Sequence, residues 1–386
     1  AGAALSCTPN NGPRAAVAGV ATFVGCDINL ASGTAYTLRA VDGVLTAATS
    51  TGITVSIGAA TQLAFATQPS ATATGGVDFA QQPVVVITDA GGNTVNNTSG
   101  VTLTITTPAG ATLGCTNNGP LNATAGIATF AGCDIDLAST TPYTLHAADG
   151  VLNTASSNAI TISVGPATQL GFTLSPTSTV SNTDFDAQPQ VAVEDAGGNI
   201  VTGTNSGGVT LNVTAHTPAS NLTCTGSTLT VAVVDGVATF SGCSMDIAGT
   251  EFTLTANDGP LTGTSTAFDI TGGAAVSMQF TASPGASLTA TNFATQPVVR
   301  LLDAVGNVAT NDNTTVIALD LTRPSGPTGA VLTCSSVAVT VVAGVANFAG
   351  CSVDRASTVN YTLSSSFTGA FDAVSNPFVV TDPVIP

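Results

Sequence analysis

The sequence predicts an all-β protein built from tandem two-sheet sandwiches, each stapled by one disulfide. Three observations predict it. A block of motifs recurs every 107 to 110 residues, measured between Cys26, Cys133, Cys243 and Cys351. Within a block, apolar and polar residues alternate with the two-residue period of a strand buried on one face. Eight cysteines fall as four pairs in phase with that repeat, the pattern of one internal bridge per unit.

Several motifs carry the repeat together. ATQLAF at Ala60 to Phe65 returns as ATQLGF at Ala167 to Phe172 and as AVSMQF at Ala275 to Phe280. Gln82-Pro83 returns as Gln188-Pro189 and Gln296-Pro297, and the turn Asp89-Ala-Gly-Gly-Asn93 returns at Asp195 to Asn199 and, altered, at Asp303 to Asn307. GVATFVGCDIN around Cys26 matches the segments around Cys133, Cys243 and Cys351. These landmarks set three complete units at 59–165, 166–272 and 273–382. Residues 1–58 carry only the closing half of a unit: the cysteine pair, the Tyr36 strand and the final hairpin. The junctions Gly58-Ala59, Gly165-Pro166 and Gly272-Gly273 hold no long Ser/Gly tether, so a semi-rigid rod is expected.

The strands follow in order. Val101 to Thr107 alternates apolar residues with Thr, which gives one packed and one wet face. Tyr143 to Leu152 reads as strand, Asp149-Gly150 turn, strand. Ile160, Ile162 and Val164 alternate again. Pro, Gly, Asn and Asp punctuate the chain every 8 to 12 residues, and no window shows a helical stripe. About seven short strands in about a hundred residues is the content of an immunoglobulin-like sandwich.

The order of strand, D-x-x-G-N turn, alternating strand, G-x-A-x-F and Y-T-L-x-A-x-D-G resembles the bacterial Ig-like repeats of invasin- and intimin-type surface proteins. In the second unit it is carried by Asp89 to Asn93, Val101 to Thr107, Gly126 to Phe130 and Tyr143 to Gly150. The resemblance covers the half-unit and all three complete units. It implies fold rather than function, because such repeats mostly serve as spacers. The sequence departs from that pattern by its cysteine pair in every unit, and it shows no lectin-like or receptor-binding tip domain.

The pairs are Cys7/Cys26, Cys115/Cys133, Cys224/Cys243 and Cys334/Cys351. A bridge closing a loop of this size stabilises a domain by about 3 kcal/mol in the chain-entropy model, and it places the protein in an oxidising compartment, outside the cell or on its surface. A zinc site would need C-x-x-C spacing or more than two His.

Composition excludes other classes. The net charge is -17, and the five basic residues are all Arg (Arg14, Arg39, Arg300, Arg323, Arg355). With no basic cluster to neutralise phosphates, no nucleic-acid partner is expected, and no stretch of about 20 apolar residues signals membrane insertion. The chain starts without Met and is read as a mature product or as a segment of something longer.

No catalytic residues emerge. His146 and His216 are the only imidazoles, and His146 stands where other units carry Arg39 and Thr255. No nucleophile–base pairing recurs between units, and no cofactor is expected. The carboxylates of Asp89, Asp195 and Asp303 are candidate Ca²⁺ ligands at a domain edge. The competing reading, preferred here, is that Asp caps its own turn while Gly and Asn supply the positive-φ positions. The acids beside Cys133, through Asp136, read as a solvated strand edge. Asn-x-Ser/Thr triplets at Asn97, Asn122, Asn212, Asn221, Asn313 and Asn360 are candidate glycan acceptors. The three Tyr (Tyr36, Tyr143, Tyr361) share one strand slot, taken by Phe252 in the unit at 166–272, and read as packing residues. Without Lys, no Lys–Asn isopeptide cross-link forms.

Two functions remain. One is a building block of an extracellular filament, sheath or surface layer, assembled by strand donation into the open half-unit. The other is an adhesin or spacer stalk within a longer chain whose binding domain lies elsewhere.

Overall fold

The computed structural model describes residues 2–105, 108, 110–117, 119–204, 207–214, 219–322, 328–367 and 372–383. Apart from one 3-10 turn at Thr225–Ser227, its regular elements are strands. Packing divides the chain into two compact units, Ala1–Gln169 with Glu194–Val201, and Leu170–Val193 with Thr202–Pro386.

The first compact unit contains a complete sandwich. One sheet orders Ile127–Thr129, Val84–Thr88 and Gln62–Thr67, all antiparallel. The other orders Leu121–Asn122, Gly100–Ile105, Leu145–Ala148 and Ala155–Ser156. Alternation decides the inward set: Val85 and Ile87 are fully buried while Val84 and Val86 are only partly so. Phe79, Val101, Phe130, Tyr143, Leu145 and Ile160 fill the space between the sheets with them. Thr72–Thr74 runs parallel to Thr161–Ser163, and the short ribbon of Leu113–Gly114 with Asp134–Ile135 carries the disulfide.

Two local devices set the turns. Thr124 to Ile127 is a two-residue hairpin turn in which Ala125 (φ 51°) and Gly126 (φ 82°) both take the left-handed conformation, as a primed turn between twisted strands demands. Asp149 accepts from the Val151 and Leu152 N–H groups and so closes the Asp-Gly hairpin.

Residues 1–58 have the closing elements alone. Leu5–Thr8 pairs with Val24–Ile28, Arg39–Ala40 pairs with Ala48–Thr49, and Tyr36 bridges to Ile53. No described strand lies on the far edge of Val24–Ile28.

The second compact unit repeats the design. Thr230–Ala232, Gly208–Val213, Leu254–Asp258 and Leu261–Thr264 form a four-stranded sheet. Further on, Ser277–Ala282, Val298–Leu302 and Val345–Asn347 face a sheet of Ala338–Thr340, Val316–Thr322, Thr362–Ser366 and Ala373–Val374. Edge-to-face pairs of Phe185 with Phe268 and of Phe293 with Phe378 add aromatic packing.

Candidate functional site

The D-x-x-G-N turns do more than turn. In the first, Asp89 Oδ1 accepts from the Gly91 and Asn93 N–H groups, which is the expected cap. Its Oδ2 accepts from the N–H of the junction glycine, Gly58, at 2.8 Å. Asn93 then reaches into the preceding repeat. Its Nδ2 donates to the Asn29 carbonyl, and its Oδ1 accepts from the Ala31 N–H.

The second turn repeats each bond. Asp195 takes Gly165, and Asn199 takes the Asp136 carbonyl and the Ala138 N–H. The third does so again with Gly273, the Asp246 carbonyl and Ala248, and Ser181 Oγ donates to Asp303 Oδ2 at 2.6 Å. Each set is a latch from one repeat onto the segment before it. A side chain at Gly197 would run into the Asp136 carbonyl, which explains the first Gly of Asp195-Ala-Gly-Gly-Asn199.

This geometry opposes a cation. Each latch carboxylate is buried and ringed by N–H donors, whereas Ca²⁺ needs oxygens with free lone pairs. The acidities agree. Donation by the Gly58 N–H, ahead of the opposing effect of burial, holds Asp89 below the usual carboxylate range. Burial pushes Asp195 and Asp303 up, but the hydrogen bonds outweigh it and both end lowered. Among the described residues no group of three or more His, Cys, Asp or Glu could hold a metal ion.

A second recurring device surrounds the cysteines. Gln82 Nε2 donates to the Phe79 and Cys133 carbonyls, and Gln82 Oε1 accepts from the Cys133 N–H. Phe79 N–H donates to the Cys133 carbonyl, and Phe130 N–H donates to the Pro83 carbonyl. One carboxamide thus supplies the pairing that a neighbouring strand would supply. Gln188 forks onto Cys243 and Gln296 onto Cys351 in the same way. The sequence marked these glutamines by repetition, yet their role escaped it. The readable signal is F-x-x-Q-P: Phe79 to Pro83, Phe185 to Pro189 and Phe293 to Pro297.

The structure joins Cys7 to Cys26, Cys115 to Cys133, Cys224 to Cys243 and Cys334 to Cys351. Cys133, Cys243 and Cys351 are fully buried beneath their Gln forks. Cys26 is exposed. Phe23, aligned with Phe130, is 45% exposed against 3%. Leu5, Cys7, Phe23, Cys26, Leu38 and Leu45 line an open groove of about 1030 Å³ on this half-sandwich.

The remaining candidates scatter. His146 lies half-buried on a strand between Thr104 and Ser156, and His216 lies outside the described residues. Tyr143 and Tyr361 are buried, each donating its hydroxyl to a carbonyl six residues earlier. Asp136 caps locally, accepting from the Thr112 and Leu137 N–H groups, while its own carbonyl serves the latch. Asn122, Asn212, Asn221, Asn313 and Asn360 are exposed and Asn97 is half-buried. Asn221 Nδ2, the atom a glycan would take, donates to Asp246 Oδ2.

The chain matches no protein-family profile and no curated protein. Among solved structures it is similar to InvD of Yersinia pseudotuberculosis, at 15% identity over 82% of this chain and 96% of that one, with a TM-score of 0.29. Invasin, a bacterial integrin-binding protein, is similar at 12% identity over 82% of this chain and 60% of that one, TM-score 0.27. Domains 5–6 of the S-layer protein SbsC are similar at 18% identity over 54% and 98%, TM-score 0.19. At these identities and TM-scores the likenesses carry no argument about family, partner or function. The class of protein rests on the chain's own sheets: tandem immunoglobulin-like sandwiches with four disulfides.

Proposed function

We propose that the chain is a structural segment of an extracellular filament, sheath or surface layer, in which the half-sandwich at residues 1–58 is completed by strands from another stretch of polypeptide. The open groove over Leu5, Phe23 and Leu38 carries this reading. An unpaired sheet edge beside uncovered apolar side chains is a template for strand addition. Four disulfides suit an oxidising, extracellular setting, and the three latches suit a protein whose work is to hold neighbouring segments together. An acidic chain with five Arg suits neither a nucleic acid nor an anionic membrane.

The test is antibody labelling of intact cells, followed by sedimentation of the sheared surface fraction. Surface labelling, with sedimentation far faster than a 37.5 kDa chain allows, is expected. Recovery only from the cell interior as a free monomer overturns the reading.

A further inference from the structure

The four-stranded sheet of the unit at 166–272 has one closed edge and one open edge. Leu261–Thr264 is closed, since a side chain at Gly263 would strike the Leu170 carbonyl of the strand Gln169–Leu174. The opposite edge is Thr230–Ala232, and no described strand runs along its outer side. Ala338–Thr340 is the equivalent edge in the unit at 273–382. Antiparallel pairing turns the N–H and C=O of alternate residues toward the partner strand and those between them away. The Leu211 N–H donates to the Leu229 carbonyl and the Leu319 N–H to the Val337 carbonyl, which fixes the phase. Thr230 and Ala232, and likewise Ala338 and Thr340, therefore turn their main-chain groups to the open side. The Ser336 hydroxyl bonds the N–H and C=O of Ala338, and no described residue takes those of the other three.

Natural sheet edges are guarded by charge, proline or a bulge. The unit at 59–165 follows that rule. On its edge strand Leu121–Asn122, Asn122 stands opposite Gly100 as Ala232 stands opposite Gly208 and Thr340 opposite Val316. Two residues earlier, Pro120 fills the outward slot held elsewhere by Thr230 and Ala338, and a proline offers no N–H to an incoming strand. The two later edges have no such guard. Residues 227–234 and 335–342 contain no charged residue, no Pro and no Gly. The side chains of Thr230, Ala232, Ala338 and Thr340 are exposed, and so are Val234 and Val342 at the strand ends.

We infer that these two edges pair, strand against strand, with the same edges of a second copy of the chain. A net charge of -17 drives copies apart, so they meet with least repulsion along an uncharged strip. A charged peptide finds no complementary group there. An antiparallel copy of the strip does match it, because Thr, Ala and Val are small enough for main-chain contact and a two-fold pairing is self-complementary. The inference goes beyond the function proposed above: it uses complete repeats alone and gives a sheath or layer its sideways contact.

Sedimentation equilibrium of the full chain over a concentration series reads the pairing. One double variant, Thr230→Pro with Ala338→Pro, copies the guard that Pro120 already provides. A second, Ala232→Glu with Thr340→Glu, alters exposed side chains only and decides the matter if the first fails to fold. Thr264→Glu puts the same charge on the closed edge as a control. Reversible association of the native chain is expected, weakened about tenfold or more by either double variant and kept by the control. Association that neither double variant weakens overturns the inference and leaves the proposed function standing. A native chain that stays monomeric at every concentration overturns it as well, and surface labelling of cells then judges the function separately.

Discussion

Gln188 shows how much one uncharged side chain can hold. Its Oε1 accepts from the Cys243 N–H at 2.7 Å and its Nε2 donates to the Phe185 carbonyl at 2.7 Å, beside a fully buried disulfide sulfur. Gln188→Ala leaves the Cys243 N–H without its acceptor in a space where water is excluded, so a loss of about 1–3 kcal/mol is expected, measured by urea unfolding. The Ser157 hydroxyl is a second point of this kind, accepting from the Leu145 N–H and donating to the Asn158 carbonyl. Asp303 brings pH into the account. Its folded carboxyl lies below the ordinary value, so the unfolded chain binds the extra proton. The stability it contributes is therefore complete above about pH 5 and drains away as pH falls below about 4. Hydrogen exchange at the Ala248 N–H, which donates to Asn307 in the same latch, is expected to quicken over that acid range. In Asp303→Asn it is expected to be fast already at neutral pH, with the dependence gone.

At the scale of the element, the turns divide into those that can be improved and those that cannot. Ala125 holds φ at 51° in the first position of a two-residue hairpin turn, where Asn before Gly is the preferred pair. Ala125→Asn is expected to raise the melting temperature of the sandwich by relieving strain worth up to about 1 kcal/mol, read by calorimetry. Gly197→Ala should do the reverse, since its Cβ would strike the Asp136 carbonyl. The strands themselves were legible in the sequence, because alternation at Val84–Thr88 or Gly100–Ile105 is a property of a few adjacent residues. So was the Asp149-Gly150 hairpin. The latches were legible only by half. The cap of Asp89 on its own turn is local, but Asn93 finds Asn29 64 residues away and Gln82 finds Cys133 51 away. Repetition marks such a residue as constrained without saying by what. The partner is a main-chain atom, which carries no residue identity for a sequence to display.

For the molecule as a whole, the four disulfides are alike in sequence and unlike in setting. Each closes a loop of 17 to 19 residues, so the chain-entropy model gives all of them about the same worth, near 3 kcal/mol. Access separates them. Thiol–disulfide exchange needs a thiolate to reach a sulfur atom. Three bridges keep one cysteine fully buried under a Gln fork, whereas Cys26 is exposed in the open groove. Mild reduction without denaturant is therefore expected to open Cys7–Cys26 well before the others, which await unfolding of their sandwiches. Timed alkylation with peptide mapping follows the four pairs separately. Opening of all four at one rate would mean that the first sandwich is as well covered as the rest.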